Sequence, residues 1–248
     1  MIVDCNVSLG RWPFQYPSIE TPRQLERALR REGIDRALVS SAEAVLFPEP
    51  EECNERLRRW LRGCRSLVPV PVANPRAASA AEIVSAPDLR AVKLIPNYHV
   101  YNLTDPSVVA LCSDAQRRGV TVMIQMRMED ERGHYELLKV PGVGVEQIAA
   151  LVGEVPGLSL VALCPYFAEA VTLAKLPGVF VDISFTEKPD TLALLCREIP
   201  AARVLFGSHT PWYYTAAAWA KLASAEISEV ERQAIAGGNA LGLFRLTG

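Results

Sequence analysis

Lys93 stands inside an apolar run, Ala91-Val92-Lys93-Leu94-Ile95, where a charge must be paired or face a polar cavity. Asn6 and Ser8 lie at the end of another run, Gln125 and Arg127 at the end of a third, and Cys164 directly after a fourth. His209 follows a glycine-serine turn, Gly207-Ser208, and precedes Trp212. An imidazole so placed could act as an acid or base near neutral pH, and Lys93 with Arg127 could hold a carboxylate. Each has a plainer reading. Lys93 could be a structural lysine paired with Asp4 or Asp182, Arg127 an exposed loop residue, and His209 a hydrogen-bonding group across a pocket mouth. Cys164 could pair with His209 as a nucleophile or be an inert packed thiol. Tyr98, His99 and Tyr101 crowd one loop that could close over a ligand or pack on a rim.

The elements that position these residues read as strands at 2–7, 37–40, 67–72, 91–95, 121–126, 159–163, 179–183 and 203–206. Most are near-continuous apolar runs, as expected of parallel strands covered on both faces. Helices are expected at 22–32, 50–62, 106–118, 145–153, 168–176 and 189–198. Thr21-Pro22 and Asp105-Pro106 are start signals; Gly33 and Gly119 are stop signals. Eight strand–helix units of about 31 residues each fit the length of a (β/α)8 TIM barrel. No linker or composition shift divides the chain, so residues 1–248 are expected to form one α/β domain. A doubly wound open sheet is the rival, because pattern alone does not show closure. In a barrel, chemistry gathers where strands end and the following loops begin, which is where Asn6, Ser8, Lys93, His99, Gln125, Arg127, Cys164, His209 and Trp212 fall.

Half of the residues are apolar and 22% are charged, which excludes a disordered chain. A net charge of −2 leaves no electrostatic footprint for nucleic acid or an anionic membrane. A small molecule or another copy of the chain is the expected partner. No apolar stretch reaches the roughly 18 residues of a membrane span, and the start lacks the basic region of a signal peptide. Six cysteines without a C-x-x-C pair read as reduced thiols. The expected location is the cytoplasm. No G-x-S-x-G elbow is present, and Gly142-Val143-Gly144 lacks the third glycine of a dinucleotide fingerprint.

The opening Asp4-Cys5-Asn6-Val7-Ser8-Leu9-Gly10 resembles the first strand, D-x-H-x-H-x-G, of the amidohydrolase-related barrels, the group that includes aminocarboxymuconate semialdehyde decarboxylase. Gly207-Ser208-His209-Thr210-Pro211 is similar to that family's G-S-D-x-P. Gly238-Asn239-Ala240-Leu241-Gly242-Leu243-Phe244 is similar to its closing G-N-A-x-x-L-F helix. Asp182-Ile183-Ser184 resembles its D-x-S, a pair that more simply braces the barrel. The resemblance implies a single (β/α)8 barrel and a hydrolase or related lyase.

It also implies where a metal would sit: two histidines on strand one, others after strands five and six, and an aspartate after strand eight. Those positions here read Asn6, Ser8, Gln125, Cys164 and His209. Zinc takes nitrogen, sulfur or carboxylate ligands, and neutral amide or hydroxyl oxygens suit it poorly. The expectation is therefore a divergent member with no resident metal, weakly held zinc being the alternative left open. His209 and Lys93 are the expected catalytic pair. Asn6, Ser8, His99, Gln125, Arg127, Cys164 and Trp212 are the expected contacts to a small carboxylate-bearing substrate. The competing reading is an inactive barrel that binds a metabolite or a protein.

Overall fold

The apolar runs become eight parallel strands: β1 (Val3–Leu9), β2 (Arg36–Ser41), β3 (Leu67–Pro69), β4 (Ala91–Leu94), β5 (Thr121–Gln125), β6 (Leu160–Leu163), β7 (Val179–Asp182) and β8 (Val204–Leu205). The computed structural model describes residues 1–13, 19–134, 137 and 139–246. Helices α1 (Pro22–Arg31), α2 (Glu51–Trp60), α3 (Ala80–Ser85), α4 (Pro96–His99), α5 (Pro106–Arg118), α6 (Val145–Glu154), α7 (Phe167–Leu173), α8 (Thr191–Glu198), α9 (Thr215–Ser224), α10 (Glu229–Gln233) and α11 (Asn239–Leu243) alternate with the strands or follow the last one. The two sheet segments, β1-β2-β3 and β4-β5-β6-β7-β8, join at both seams. Lys93 takes part in one seam through its own backbone: its N–H donates to the Pro71 carbonyl, and its carbonyl accepts from Ala73, each at 2.9 Å. The other seam is Cys5 N–H to Phe206 O at 3.0 Å and Ser8 N–H to Thr210 O at 2.8 Å. The sheet closes into a (β/α)8 barrel rather than remaining open.

Packing follows the two-residue strand period. Ala37, Val39, Val92, Leu94, Val122, Ile124, Ala162, Val181 and Val204 belong to the outer layer under the helices. Val3, Cys5, Leu38, Val70, Ala91, Met123, Val161, Leu163 and Leu205 fill the lower interior. The helix α1 shows how the outer layer is built. Thr21 and Gln24 form a capping box, Pro22 occupies the first turn, and Leu25 and Leu29, one turn apart, are buried. Gly33 and Gly119 adopt the left-handed conformation their stop signals require.

The floor is closed by the C-terminal helix α11 and the residue that follows it, Ala240 and Phe244 packing against the lower interior. Asn239 Nδ2 donates to the carbonyls of Ala201 and Val204, both at 2.8 Å, tying α11 to the base of β8. Gly237 is needed for that approach, since a Cβ there would lie 2.5 Å from the Met1 carbonyl.

The third strand is shorter than its apolar run because Pro69 and Pro71 have no N–H for a ladder. The helix α9 was not legible: its buried positions are Thr215, Ala218 and Leu222, too small for a clear apolar period. All six cysteines are free. Among the described residues no helix is long and apolar enough to cross a membrane.

Candidate functional site

Asn6 and Ser8 face the barrel interior because β1 is bulged. Asp4 pairs with Ala37 and Val7 with Val39, so three steps of β1 oppose two of β2. Below the bulge Cys5 packs inside; above it Val7 and Leu9 lie in the outer layer, which turns Asn6 and Ser8 inward. The Asp4 carboxylate receives the backbone groups left over, accepting from Asn6 N–H at 3.1 Å and Ser208 N–H at 3.0 Å. Plain alternation brings Lys93, Gln125 and Asp182 to the same level, two residues above Ala91, Met123 and Phe180. Cys164 arrives differently. It follows β6 in the left-handed region, φ 60°, and its N–H donates to Asp182 Oδ1 at 2.8 Å.

These side chains form one buried network. Asn6 Nδ2 donates to Asp182 Oδ2 at 2.9 Å and to Cys164 Sγ at 3.2 Å. Gln125 Nε2 donates to the Arg127 carbonyl at 2.6 Å and to Cys164 Sγ at 3.0 Å. A carboxylate and a carbonyl only accept, so both amide orientations are fixed by their partners. Ser184 Oγ lies 2.9 and 3.0 Å from the Asp182 oxygens. Lys93 Nζ reaches Ser40 Oγ at 3.2 Å and Asn6 Oδ1 at 3.4 Å, and Ser8 touches Ser40 at 3.3 Å. Gly207 packs against this network, since a Cβ there would meet Asp182 Oδ2 at 2.6 Å.

Burial dominates the electrostatics. It pushes the Asp4 carboxyl up to about 7, raises that of Asp182, and drives the Cys164 thiol up to about 12 with help from the Asp182 charge. It lowers the Lys93 ammonium to about 8, a fall that the nearby Cys164 and Asp182 partly oppose. Lys93 is only 3% exposed, yet it enters no ion pair among the described residues. A pairing with Asp4 or Asp182 is therefore not what holds it.

Above the network lies an aromatic roof. His209, left-handed at φ 57° and fully buried, sets Nε2 2.7 Å from the Met128 carbonyl. That nitrogen must carry the hydrogen, leaving Nδ1 as a buried acceptor without a partner among the described residues. Burial takes the imidazole down to about 3, so an imidazole titrating near neutrality is not what the fold provides. Trp212 stacks on His209 at 5.0 Å and meets Trp12 edge-on at 5.6 Å. His99 is tied down, its Nε2 2.9 Å from the Ala44 carbonyl. Beside the roof, Tyr166, Phe167, Phe185 and Tyr213, together with the charged Asp130, Arg132 and Glu187, line a cavity of about 540 Å³.

Sequence reasoning left Arg127 free to join Lys93 around a substrate carboxylate; the chain's own Glu169 occupies it. The guanidinium binds both Glu169 oxygens, at 2.7 and 2.8 Å, and lies 3.9 Å from the Tyr166 ring centre. Asn6, Ser8, Lys93, Gln125 and Cys164 are brought together as expected, with Arg127 attached through the Cys164 carbonyl at 2.6 Å. His209 and Trp212 belong to the roof, while His99 is held against Ala44 and Tyr101. Ser40 and Glu169 were missed. Glu169 Oε2 also accepts from Tyr166 N–H at 2.7 Å at the start of α7, but a tyrosine at that position is no capping signature, so the sequence offered no signal for it. Asp182 and Ser184, read as braces, sit at the centre of the network.

The residues at the resembled family's metal positions do not fit a divalent ion. The Asn6 and Gln125 amides aim N–H groups at Cys164 Sγ, an ammonium adjoins Asn6, and one His209 nitrogen is engaged by a carbonyl. Among the described residues no three His, Cys, Asp or Glu side chains converge as a metal-holding group.

No curated protein matches the chain. Solved structures do match in fold. A 2,6-dihydroxybenzoate decarboxylase from Rhizobium aligns with a TM-score of 0.74 at 16% identity, over 100% of this chain and 99% of that one. A dihydroxybenzoic acid decarboxylase from Polaromonas, with bound manganese and 2-nitroresorcinol, gives 0.73 at 17%, over 99% and 97%. A 5-carboxyvanillate decarboxylase from Novosphingobium aromaticivorans, complexed with manganese and 4-hydroxy-3-methoxy-5-nitrobenzoic acid, gives 0.79 at 11%, over 99% and 96%. The amidohydrolase family profile matches residues 10–246. With the closed barrel, the polar network at its carboxyl end and a profile match over nearly the whole chain, the protein belongs to the amidohydrolase family.

Proposed function

We propose that the upper barrel acts on a small carboxylate-bearing molecule by acid/base chemistry, as a hydrolase or a lyase, without a resident metal. The observation that carries this reading is Lys93, a buried ammonium whose Nζ hydrogen-bonds, among the described residues, to the uncharged Asn6 and Ser40. A buried charge is retained at a cost of several kcal/mol unless something compensates it. An anionic substrate is the compensating group we assign. Carboxylated aromatic substrates in the names of the fold neighbours support an anionic class. In this scheme Lys93 holds the carboxylate, with Asn6 and Ser8 beside it. Asp182, lifted by burial, exchanges a proton with the reacting group, and the buried lone pair on His209 Nδ1 is assigned as a hydrogen-bond acceptor for it.

A second reading, an inactive barrel that binds a metabolite or a protein, is favoured by one observation: the imidazole of His209 is sealed beneath Trp212. Thermal unfolding with a panel of small mono- and dicarboxylates tests the anion site common to a metabolite binder and an enzyme. Carboxylates should raise Tm for the wild type, and the rise should shrink in Lys93→Met. Uncharged analogues that stabilise equally, with Lys93→Met responding as the wild type does, would overturn the assignment.

A further inference from the structure

We propose that Lys93 is a covalent nucleophile, forming an imine with an aldehyde or ketone carbonyl of the substrate. This deepens the reading above and rests on it, narrowing the substrate to a small oxo acid. The geometry is that of an amine held ready rather than an ammonium held in place. Lys93 projects from the middle of β4 into the barrel, its backbone fixed on both sides by the seam with the Pro71–Ala73 segment. Its Nζ has hydrogen-bond partners that are both neutral, Ser40 Oγ at 3.2 Å and Asn6 Oδ1 at 3.4 Å. Neither binds the charged form as a carboxylate would, so losing the proton breaks no ion pair. A desolvated lysine without a counter-ion is the environment in which an amine becomes nucleophilic near neutral pH, and burial does lower Lys93 toward that range. The other lysines, Lys139, Lys175, Lys188 and Lys221, do not share this setting: the first three are exposed and Lys221 pairs with Glu187.

The step balances without a further reactant. The ammonium gives one proton to a buried carboxylate, and the Asp182–Ser184 pair is the nearby acceptor assigned. The free nitrogen pair then forms a C–N bond to the carbonyl carbon. The C=O π electrons move to oxygen, which takes up a proton, giving a carbinolamine. The C–O bond then breaks, the oxygen leaves as water with a second proton, and the nitrogen pair closes the C=N bond. Protonated, that imine is still cationic, so it continues to hold the substrate carboxylate and draws electrons from the adjacent bond. Cleavage next to the carbonyl, or proton removal there, would then proceed without a metal.

Borohydride trapping tests this on the intact chain. Pyruvate, glyoxylate and acetaldehyde are the probes, followed by peptide mass mapping. One adduct per chain is expected, adding the mass of the probe less one oxygen, on the peptide that holds Lys93. Lys93→Met should abolish it, and Lys93→Arg should abolish it while retaining the carboxylate-dependent rise in Tm. The wild-type map stands alone if either variant fails to fold, because only four other lysines and the N-terminal amine compete with Lys93. No adduct, or adducts spread over Lys139, Lys175 and Lys188 as in the urea-unfolded chain, overturns the inference. Carboxylates that stabilise the wild type without any trapped adduct would remove the imine and leave the anion site. An adduct on Lys93 with no carboxylate effect would do the reverse.

Discussion

Asn6 Nδ2 donates to Asp182 Oδ2 at 2.9 Å, joining the first strand of the barrel to the seventh. The same nitrogen spends its second hydrogen on Cys164 Sγ, so one amide holds a carboxylate and a thiol. Removing it leaves Asp182 Oδ2 with Ser184 alone. Asn6→Ala should therefore destabilise the fold by about 1–3 kcal/mol, the usual penalty for a buried polar group that loses its partner. Asn6→Asp should cost more at alkaline than at acid pH, because it sets a second carboxylate against Asp182. Urea unfolding at two pH values checks both; a neutral Asn6→Ala would show that the contact is not structural.

Asp4 and His209 should tilt the pH profile of stability in opposite directions. Asp4 is raised from 3.8 to about 7. An acid raised on folding stabilises fully below its unfolded pKa, and that contribution is lost as pH rises through the folded value. His209 falls from 6.5 to about 3, so the unfolded chain binds the extra proton and stability rises with pH over that interval. Between about pH 4 and 6 the two nearly cancel. Asp182, raised by burial as well, adds to the fall with pH in every variant, so the test is relative to the wild type: Asp4→Asn should tilt the profile toward rising with pH and His209→Gln toward falling, each by up to about 1.4 kcal/mol per pH unit. Two variant profiles that both parallel the wild type would refute the assigned burial effects.

The barrel was legible in the sequence because parallel strands buried on both faces leave uninterrupted apolar runs, and Lys93 was conspicuous by breaking one. The bulge between Asp4 and Val7 left no such mark, although it decides that Asn6 and Ser8 face inward. The left-handed turns at Cys164 and His209 were equally silent, since neither residue is a glycine. The fate of Arg127 was out of reach for another reason. Its partner, Glu169, lies 42 residues away, and local pattern carries no information about which carboxylate a folded chain delivers to a given cation.

That ion pair makes its own prediction. Arg127 is 3% exposed and Glu169 is 24% exposed, so loss of the acid strands a buried guanidinium, whereas loss of the base leaves a carboxylate that water can reach. Glu169→Leu should cost about 2–4 kcal/mol, a little under the range for a fully buried pair, and Arg127→Met less. The double variant should cost less than the two single changes added together, the signature of direct coupling. Strict additivity in urea unfolding would show that the pair contributes nothing as a pair.

Zinc should not bind stoichiometrically. Cys164 and His209 are the only strong zinc donors at the resembled family's metal positions. One faces two amide N–H groups and the other a backbone carbonyl. Metal affinity requires a deprotonated ligand set of three or four. Elemental analysis of protein equilibrated with zinc and desalted should find far less than one equivalent. One full equivalent, lost in Cys164→Ala and in His209→Ala, would restore a metal mechanism.

His209 separates an enzyme from a binding module. Its ring is neutral, its Nε2 hydrogen is committed to Met128, and among the described residues its buried Nδ1 lone pair has no partner. In a pure binding module that unmet acceptor is a packing defect. His209→Ala should then leave carboxylate binding intact, and no turnover would exist to be lost. In an enzyme the same lone pair receives a hydrogen from substrate as the reaction proceeds. Ligand-induced stabilisation, about 2.7 kcal/mol at a hundredfold excess over Kd, should survive in His209→Ala while kcat falls by roughly 10²–10⁴, the usual contribution of a positioned proton acceptor. The conservative His209→Gln should recover part of that loss, because its amide oxygen can take the same hydrogen bond. Parallel losses of binding and turnover would place His209 in the roof alone, with the chemistry left to Lys93 and Asp182.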